Sequence, residues 1–153
     1  METEFLKSSQ FEMVEKNKDK KKIHPKQYSP LVLAYIGDAI YEVFSRTKVV
    51  THKVGSVHKL HNQCKEYVKA EAQATIVREL EAYLTEEEKN IVRRGRNAKS
   101  HTTPKNADLI DYKMATGLEA LVGYLYLAGE IDRLEELIQI GFDRLEQQRH
   151  SKC

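Results

Sequence analysis

The 153-residue sequence predicts a single all-α domain. Apolar residues recur at helical spacing from residue 29 to residue 145, and residues typical of helix starts and ends separate these segments. No segment alternates apolar and polar residues as a half-buried strand does. Hydrophobic residues make up 41% of the chain, which is enough to fill one core in a domain of this size.

The first predicted helix begins at Ser29, because serine caps helix N-termini and the proline that follows suits the first helical position. Residues 31–44 place apolar side chains on nearly every side of a helix, so we expect this helix to be buried on most sides. It is expected to end in the polar residues 45–48. A second helix should start after Ser56, and a third follows it directly and reaches Leu80.

The fourth predicted helix starts with a capping box, in which the side chains of Thr85 and Glu88 each satisfy a backbone N–H group. Gly95 is expected to terminate this helix, since glycine is common just past a helix end. Residues 96–107 contain a proline and a polar cluster, and they are expected to form a loop.

Two more helices complete the predicted domain. Asp108 is expected to cap a long apolar helix that Gly129 ends, and a final amphipathic helix covers residues 131–145. The predicted organisation therefore has three parts in chain order, a flexible lysine-rich extension, the helical domain and a polar tail, over residues 1–28, 29–146 and 147–153.

The composition indicates a soluble protein of a reducing compartment. The two cysteines, Cys64 and Cys153, are too few for a disulfide framework. No apolar segment reaches the length of a membrane span, and the N-terminus lacks the apolar core of a signal peptide. We therefore expect a cytoplasmic protein without a membrane partner. The net charge of +2 excludes little, so the distribution of charge is more informative than its sum.

Two acidic residues interrupt otherwise apolar helical segments. Asp38 lies in the first predicted helix and Glu119 in the fifth, each with a glycine nearby that allows another backbone or a ligand to approach closely. A carboxylate among apolar neighbours loses hydration, which a metal, a charged partner or a pKa shift must offset. Convergence of the two on one Mg²⁺ is one interpretation, because this ion prefers oxygen ligands and needs few from the protein. The alternative is that each acid pairs with an arginine or caps a helix.

The second informative feature is a cluster of cations at the end of the fourth predicted helix and in the loop after it. Arginine suits bidentate phosphate contacts, and asparagine reaches sugars or base edges, so the cluster favours a nucleic-acid partner. The alternative is a solvated basic helix end that the helix dipole favours. The residues predicted to bind RNA are Arg93, Arg94, Arg96, Asn97, Lys99, Lys105 and Asn106.

These segments resemble a known family. Gly37-Asp38-Ala39 in its apolar helix is similar to the core of the ribonuclease III signature, and residues 118–127 resemble the second acidic helix of that family. Residues 33–40, 94–99 and 102–107 look like three blocks of the Mini-ribonuclease III subfamily, in the same order and at compatible spacing. The resemblance covers about residues 29–145.

The resemblance implies the helical endonuclease fold of ribonuclease III, a homodimer, and Mg²⁺-dependent sites that cleave double-stranded RNA. By position, Asp38 and Glu119 match the family's indispensable acidic pair. The subfamily's task is the maturation of precursor 23S ribosomal RNA, and a large-subunit ribosomal protein is an expected partner. Thr116 stands where larger family members carry an aspartate, and it is expected to hold a metal-bound water.

Larger family members carry glutamates at two further positions, where this sequence has Leu31 and Ala34. This departure puts a second metal ion held entirely by protein ligands in doubt. A catalytically inactive RNA-binding module of the same fold is the alternative interpretation, as is a helical interaction protein without an RNA partner. Retention of both Asp38 and Glu119 favours the nuclease.

Overall fold

The computed structural model describes residues 23–99 and 108–151. Within these residues the chain forms six α-helices and no strand, as the sequence predicts. The helices are α1 (Pro30–His52), α2 (Val57–Val68), α3 (Ala70–Leu80), α4 (Glu86–Asn97), α5 (Leu109–Leu127) and α6 (Ile131–Ser151). Short 3₁₀ turns lie before α1, over Pro25–Gln27, and after α3, over Glu81–Tyr83.

Helix α5 is the centre of the fold. It contacts α1, α3, α4 and α6, and most of its residues are buried. Because helices surround it on several sides, the middle of α5 from Met114 to Leu125 faces other elements and is mostly buried. A charged residue in the middle of this helix therefore has to lie inside the protein or in a cleft between helices.

The predicted helix starts are confirmed. The side chains of Ser29, Ser56, Thr85 and Asp108 each accept a hydrogen bond from a backbone N–H in the first turn of their helix. Such caps each stabilise a helix by about 1 kcal/mol. Gly129 has a φ of 76°, a left-handed conformation that glycine adopts without strain, and it follows the end of α5 as expected.

Helix α1 differs from its prediction in two ways. It continues to His52 instead of ending at residues 45–48. The polar residues Ser45 and Thr47 are accommodated inside the helix, because their hydroxyls donate to backbone carbonyls one turn earlier. The expectation that α1 is buried on most sides is also wrong. Apolar side chains including Tyr35 and Val43 are exposed along one face of the helix.

Helices α4 and α6 extend further than expected. Gly95 lies inside α4, where a Cβ atom would come within 2.8 Å of the Ala120 Cβ and 2.9 Å of the Gly117 Cα. The glycine therefore permits close packing of α4 on α5 and does not end the helix, which runs to Asn97. Helix α6 continues through Ser151, so most of the predicted polar tail is helical.

Residues 1–22 of the predicted extension and residues 100–107 of the predicted loop lie outside the described residues. The rest of the extension, over residues 23–28, contains the 3₁₀ turn Pro25–Gln27. Among the helices that the structure describes, none is long and apolar enough to cross a membrane.

Candidate functional site

The crossing of α1 and α5 brings the two predicted acids together. A Cβ atom on Gly37 would lie 1.7 Å from the backbone oxygen of Glu119, and one on Gly123 would lie 1.9 Å from the backbone oxygen of Leu33. Only glycine fits at either position, so the two helix backbones are in direct contact. Asp38 follows Gly37 in the chain, and its charge acts on the Glu119 carboxyl. The juxtaposition on which the sequence-based hypothesis depends is therefore present.

The two carboxyl groups differ in exposure, and the charge of Asp38 destabilises the ionised form of Glu119. Asp38 is exposed and Glu119 is partly buried. Burial raises the pKa of Glu119 to about 8, with a further contribution from the negative charge of Asp38. Partial burial and the nearby Glu42 raise the pKa of Asp38. The pair therefore forms a site of negative potential that a cation would stabilise.

No positive side chain neutralises this pair within the described part of the chain. Lysine and arginine form ion pairs with other acids there, but with neither Asp38 nor Glu119. Buried Glu88 shows the contrast, because it pairs with Arg133 at 2.8 Å and also caps α4. The alternative in which the two acids are structural ion pairs or caps finds no support among these residues.

The donor set fits a hard divalent cation. Across residues 23–99 and 108–151, no three His, Cys, Asp or Glu side chains converge as a metal site, so Asp38 and Glu119 would contribute two ligands. Mg²⁺ keeps several of its waters and is commonly held by one or two carboxylates, whereas a zinc site needs three or four protein ligands. The pair therefore fits a hard divalent cation better than it fits zinc.

Thr116 lies one turn before Glu119 on α5. Its hydroxyl donates a hydrogen bond to the backbone oxygen of Tyr112 at 3.0 Å. The proton of this hydroxyl is thus occupied, whereas the oxygen retains lone pairs that can accept from a water molecule. The role of Thr116 as the holder of a metal-bound water stays a prediction.

Sequence reasoning missed one residue of the site, Gln73 on α3. Its side chain is 4% exposed, and a hydrogen-bond interaction with it lowers the pKa of Glu119. The signal was present in the sequence, because Gln73 stands between Ala72 and Ala74 in an apolar helix, as Asp38 and Glu119 do in theirs. Glutamine was overlooked because it is neutral, although burying its amide is also unfavourable unless it is paired.

The basic residues of α4 fall into two groups. Arg93 and Arg96 are exposed and line a surface cavity of about 280 Å³ together with Lys89 and Asn90. Both guanidinium groups are accessible to a polyanion at this surface.

Arg94 points in another direction and is partly buried. Its guanidinium donates to the backbone oxygens of Lys26 at 3.1 Å and Tyr28 at 3.2 Å. These bonds hold the 3₁₀ turn before α1 against α4. Arg94 therefore has a structural function that its position in the basic cluster did not reveal.

The remaining predicted RNA-binding residues follow α4 or lie near its end. Asn97 and Lys99 are exposed. Lys105 and Asn106 lie outside the described residues.

Comparison with known proteins identifies relatives over most of the chain. Residues 31–130 match the family described as Ribonuclease III domain. A Mini-ribonuclease 3 of Clostridium tetani is 53% identical over 75% of this chain and 77% of its own. A Mini-ribonuclease 3 of a Thermoanaerobacter species is also 53% identical, over 78% of this chain and 84% of its own.

The fold has a counterpart among solved structures. The crystal structure of a Fusobacterium nucleatum protein superposes with a TM-score of 0.69 at 33% identity, covering 76% of this chain and 93% of that protein.

Proposed function

Because the chain belongs to the ribonuclease III family, as a relative of the Mini-ribonuclease 3 proteins, and is thus an RNA endonuclease, we propose that it cleaves double-stranded RNA by Mg²⁺-dependent hydrolysis at Asp38 and Glu119. The observation that carries this proposal is the pair of carboxylates at the crossing of α1 and α5, without an ion-pair partner among the described residues.

The two acids would hold Mg²⁺ and supply no nucleophile of their own. When bound, Mg²⁺ lowers the pKa of a coordinated water and offsets negative charge on the scissile phosphate. Since the pKa of Glu119 is about 8, this carboxyl retains its proton near neutral pH until a cation displaces it. Metal affinity is therefore expected to rise with pH, and EDTA to abolish cleavage.

The exposed cations at the end of α4 would position the RNA backbone. Double-stranded RNA is recognised mainly by shape, through phosphates and 2′-hydroxyls, which suits arginine and asparagine on a helix end better than an inserted recognition helix. The proposed contacts within the described residues are Arg93, Arg96, Asn97 and Lys99. Lys105 and Asn106 complete the set in the sequence.

The two groups of arginines are expected to respond differently to substitution. Arg93→Gln and Arg96→Gln should each weaken duplex binding and leave the melting temperature unchanged. Each should also reduce the salt dependence of binding by about one released ion. Arg94→Gln should instead lower the melting temperature, because it leaves the carbonyls of Lys26 and Tyr28 without their donor. Filter binding at several salt concentrations and thermal unfolding measure the two effects. A loss of RNA affinity in all three variants at unchanged stability would contradict this division.

We also propose that the chain acts as a homodimer. Val32, Tyr35, Val43 and Val50 form an exposed apolar stripe along α1, with Tyr35 84% exposed. A stripe of this length is normally covered by another surface. Asp38 lies on the same helix, one turn after Tyr35, so a second copy on this face would bring two sites near each other.

The proposed natural substrate is precursor 23S ribosomal RNA, cleaved in the cytoplasm with the help of a large-subunit ribosomal protein. The support for this assignment is the resemblance of residues 33–40, 94–99 and 102–107 to the blocks of the Mini subfamily.

The test uses the purified chain with labelled duplex RNA, precursor 23S fragments and single strands of the same sequences. Cleavage of duplexes in Mg²⁺, and none in EDTA or of single strands, is the expected result. Binding without cleavage would identify an inactive RNA-binding module, and cleavage in EDTA would exclude the metal site.

Sedimentation equilibrium of the same preparation should give twice the chain mass of 17.7 kDa, and a monomer would contradict the dimer.

A further inference from the structure

We infer that the surface cavity of about 280 Å³ between α3, α4 and α5 binds the guanine base of an unpaired nucleotide in the RNA substrate. This α4 cavity has an apolar floor and a charged rim, and its rim includes Arg93 and Arg96. The inference rests on the proposed function, because it adds a base-specific contact to the RNA-binding surface of the nuclease.

The floor of the α4 cavity is formed by four apolar side chains from different segments. Val77 belongs to α3, Leu84 follows the 3₁₀ turn after α3, Val92 belongs to α4 and Met114 to α5. All four are buried residues of the core. A phosphate loses hydration against such a floor and gains no hydrogen bond from it, whereas the flat face of a base packs well on apolar groups. The floor therefore favours a base over a phosphate.

The rim of the α4 cavity carries an acid without a partner. Glu81 forms no ion pair and no side-chain hydrogen bond with any residue that the structure describes, whereas Glu86, also on the rim, pairs with Lys89 at 3.4 Å. A carboxylate repels phosphate, but it accepts hydrogen bonds from the N–H groups on the edge of a base. Glu81 therefore also favours a base in this cavity.

Arg96 supplies the complementary donor on the same rim. Its guanidinium lies 4.0 Å from the sulfur of Met114, at the edge of the floor, and forms no ion pair with Glu81. A ligand can therefore lie between the two charges. Guanine has two adjacent donors, N1–H and N2–H, which suit the two oxygens of a carboxylate. Its neighbouring edge has the acceptors O6 and N7, which arginine commonly reads. No other RNA base combines these two edges.

The α4 cavity lies close to the acidic pair along α5. Met114 is five residues before Glu119 in this helix, which corresponds to about 7.5 Å along the helix axis. A base in the cavity would therefore belong to a nucleotide near the cleaved bond. Paired bases are stacked inside the duplex and cannot reach a protein cavity, whereas an unpaired base is displaced at little cost. The expected ligand is thus a bulged or terminal guanosine beside the duplex.

The experiment measures binding of labelled RNA duplexes that differ only in one bulged nucleotide. The bulge is G, A, C or U, or one of two analogues: inosine lacks the N2 amino group of guanosine, and 7-deazaguanosine lacks its N7 acceptor. Fluorescence anisotropy in EDTA reports affinity without cleavage. The full chain is compared with Glu81→Gln, and Glu71→Gln is the matched control, because Glu71 is an exposed acid on α3 that does not line the cavity.

The unsubstituted chain should bind the G bulge about tenfold more tightly than the A, C and U bulges, and each analogue should remove most of this preference. In Glu81→Gln the change from guanosine to inosine should have no effect, whereas 7-deazaguanosine should still bind more weakly than guanosine. Glu71→Gln should respond as the unsubstituted chain does.

Equal affinity of the unsubstituted chain for the G and U bulges would overturn the inference, and so would an inosine effect of full size in Glu81→Gln. Both results are compatible with cleavage of fully paired duplexes and leave the proposed function intact. Failure of the unsubstituted chain to bind any of the duplexes would instead overturn the proposed function.

Discussion

Asp38→Asn and Glu119→Gln are each expected to reduce cleavage of duplex RNA at least about a thousandfold in saturating Mg²⁺, while both variants still fold and bind RNA. Each substitution removes one of the two anionic ligands, and with it the charge that would hold the cation at the scissile phosphate. A thousandfold loss corresponds to about 4 kcal/mol of transition-state stabilisation, a magnitude that loss of a metal ion readily reaches. Single-turnover cleavage of a labelled duplex measures it, with circular dichroism to verify the fold.

Glu42→Gln provides the matched control. Glu42 is an acid on the same helix, one turn after Asp38, but its carboxylate accepts a hydrogen bond from Arg46 at 2.9 Å. We expect its removal to change cleavage only a few-fold, since Arg46 already offsets its charge and it acts on Asp38 only as a neighbouring charge. Full activity in Asp38→Asn or Glu119→Gln would exclude these residues as the metal ligands. Equal loss in Glu42→Gln would show that the effect follows from total negative charge on α1 rather than from the pair.

The sequence permitted a close prediction of the helices that carry Asp38 and Glu119 and of the close approach of their backbones. An acid within an apolar helix is a local signal, and Gly37 beside Asp38 predicts the close approach of another backbone. The caps at Ser29, Thr85 and Asp108 are equally local, because each depends on a side chain and a backbone group two or three residues apart.

The features that could not be predicted depend on the packing of distant segments. Arg94 looks identical to Arg93 and Arg96 in the sequence, and only the position of the 3₁₀ turn before α1 decides that it binds carbonyls. Gly95 resembles a helix terminator until α5 is known to lie against it. The exposed stripe of α1 carries the same apolar residues as a buried one, so the hydrophobic pattern gives no indication that part of it faces outward in a single chain.

The raised pKa of Glu119 is expected to make the stability of the metal-free protein depend on pH. In the unfolded chain this carboxyl ionises near its ordinary pKa of 4.5, whereas in the folded protein it keeps its proton up to about pH 8. Between these values the folded state binds the extra proton, so stability decreases as pH rises and levels off above the folded pKa. The loss due to Glu119 should be about 4 kcal/mol between about pH 5 and about pH 9.

Urea unfolding in EDTA across this pH range measures the effect as the difference between the unsubstituted chain and Glu119→Gln. Glutamine cannot ionise, so the variant should be the more stable protein at about pH 8, and the two curves should converge near about pH 5. Asp38→Asn is the second comparison, because removing the neighbouring charge should lower the pKa of folded Glu119, so that the loss of stability is smaller and levels off at a lower pH. Millimolar Mg²⁺ should restore the stability of the unsubstituted chain alone, since a ligand that binds only the folded state stabilises it.

A flat difference curve across this pH range would show that Glu119 is already ionised in the folded protein at neutral pH. In that case Asp38 and Glu119 would not form the pair of interacting carboxyl groups on which the proposed metal binding depends.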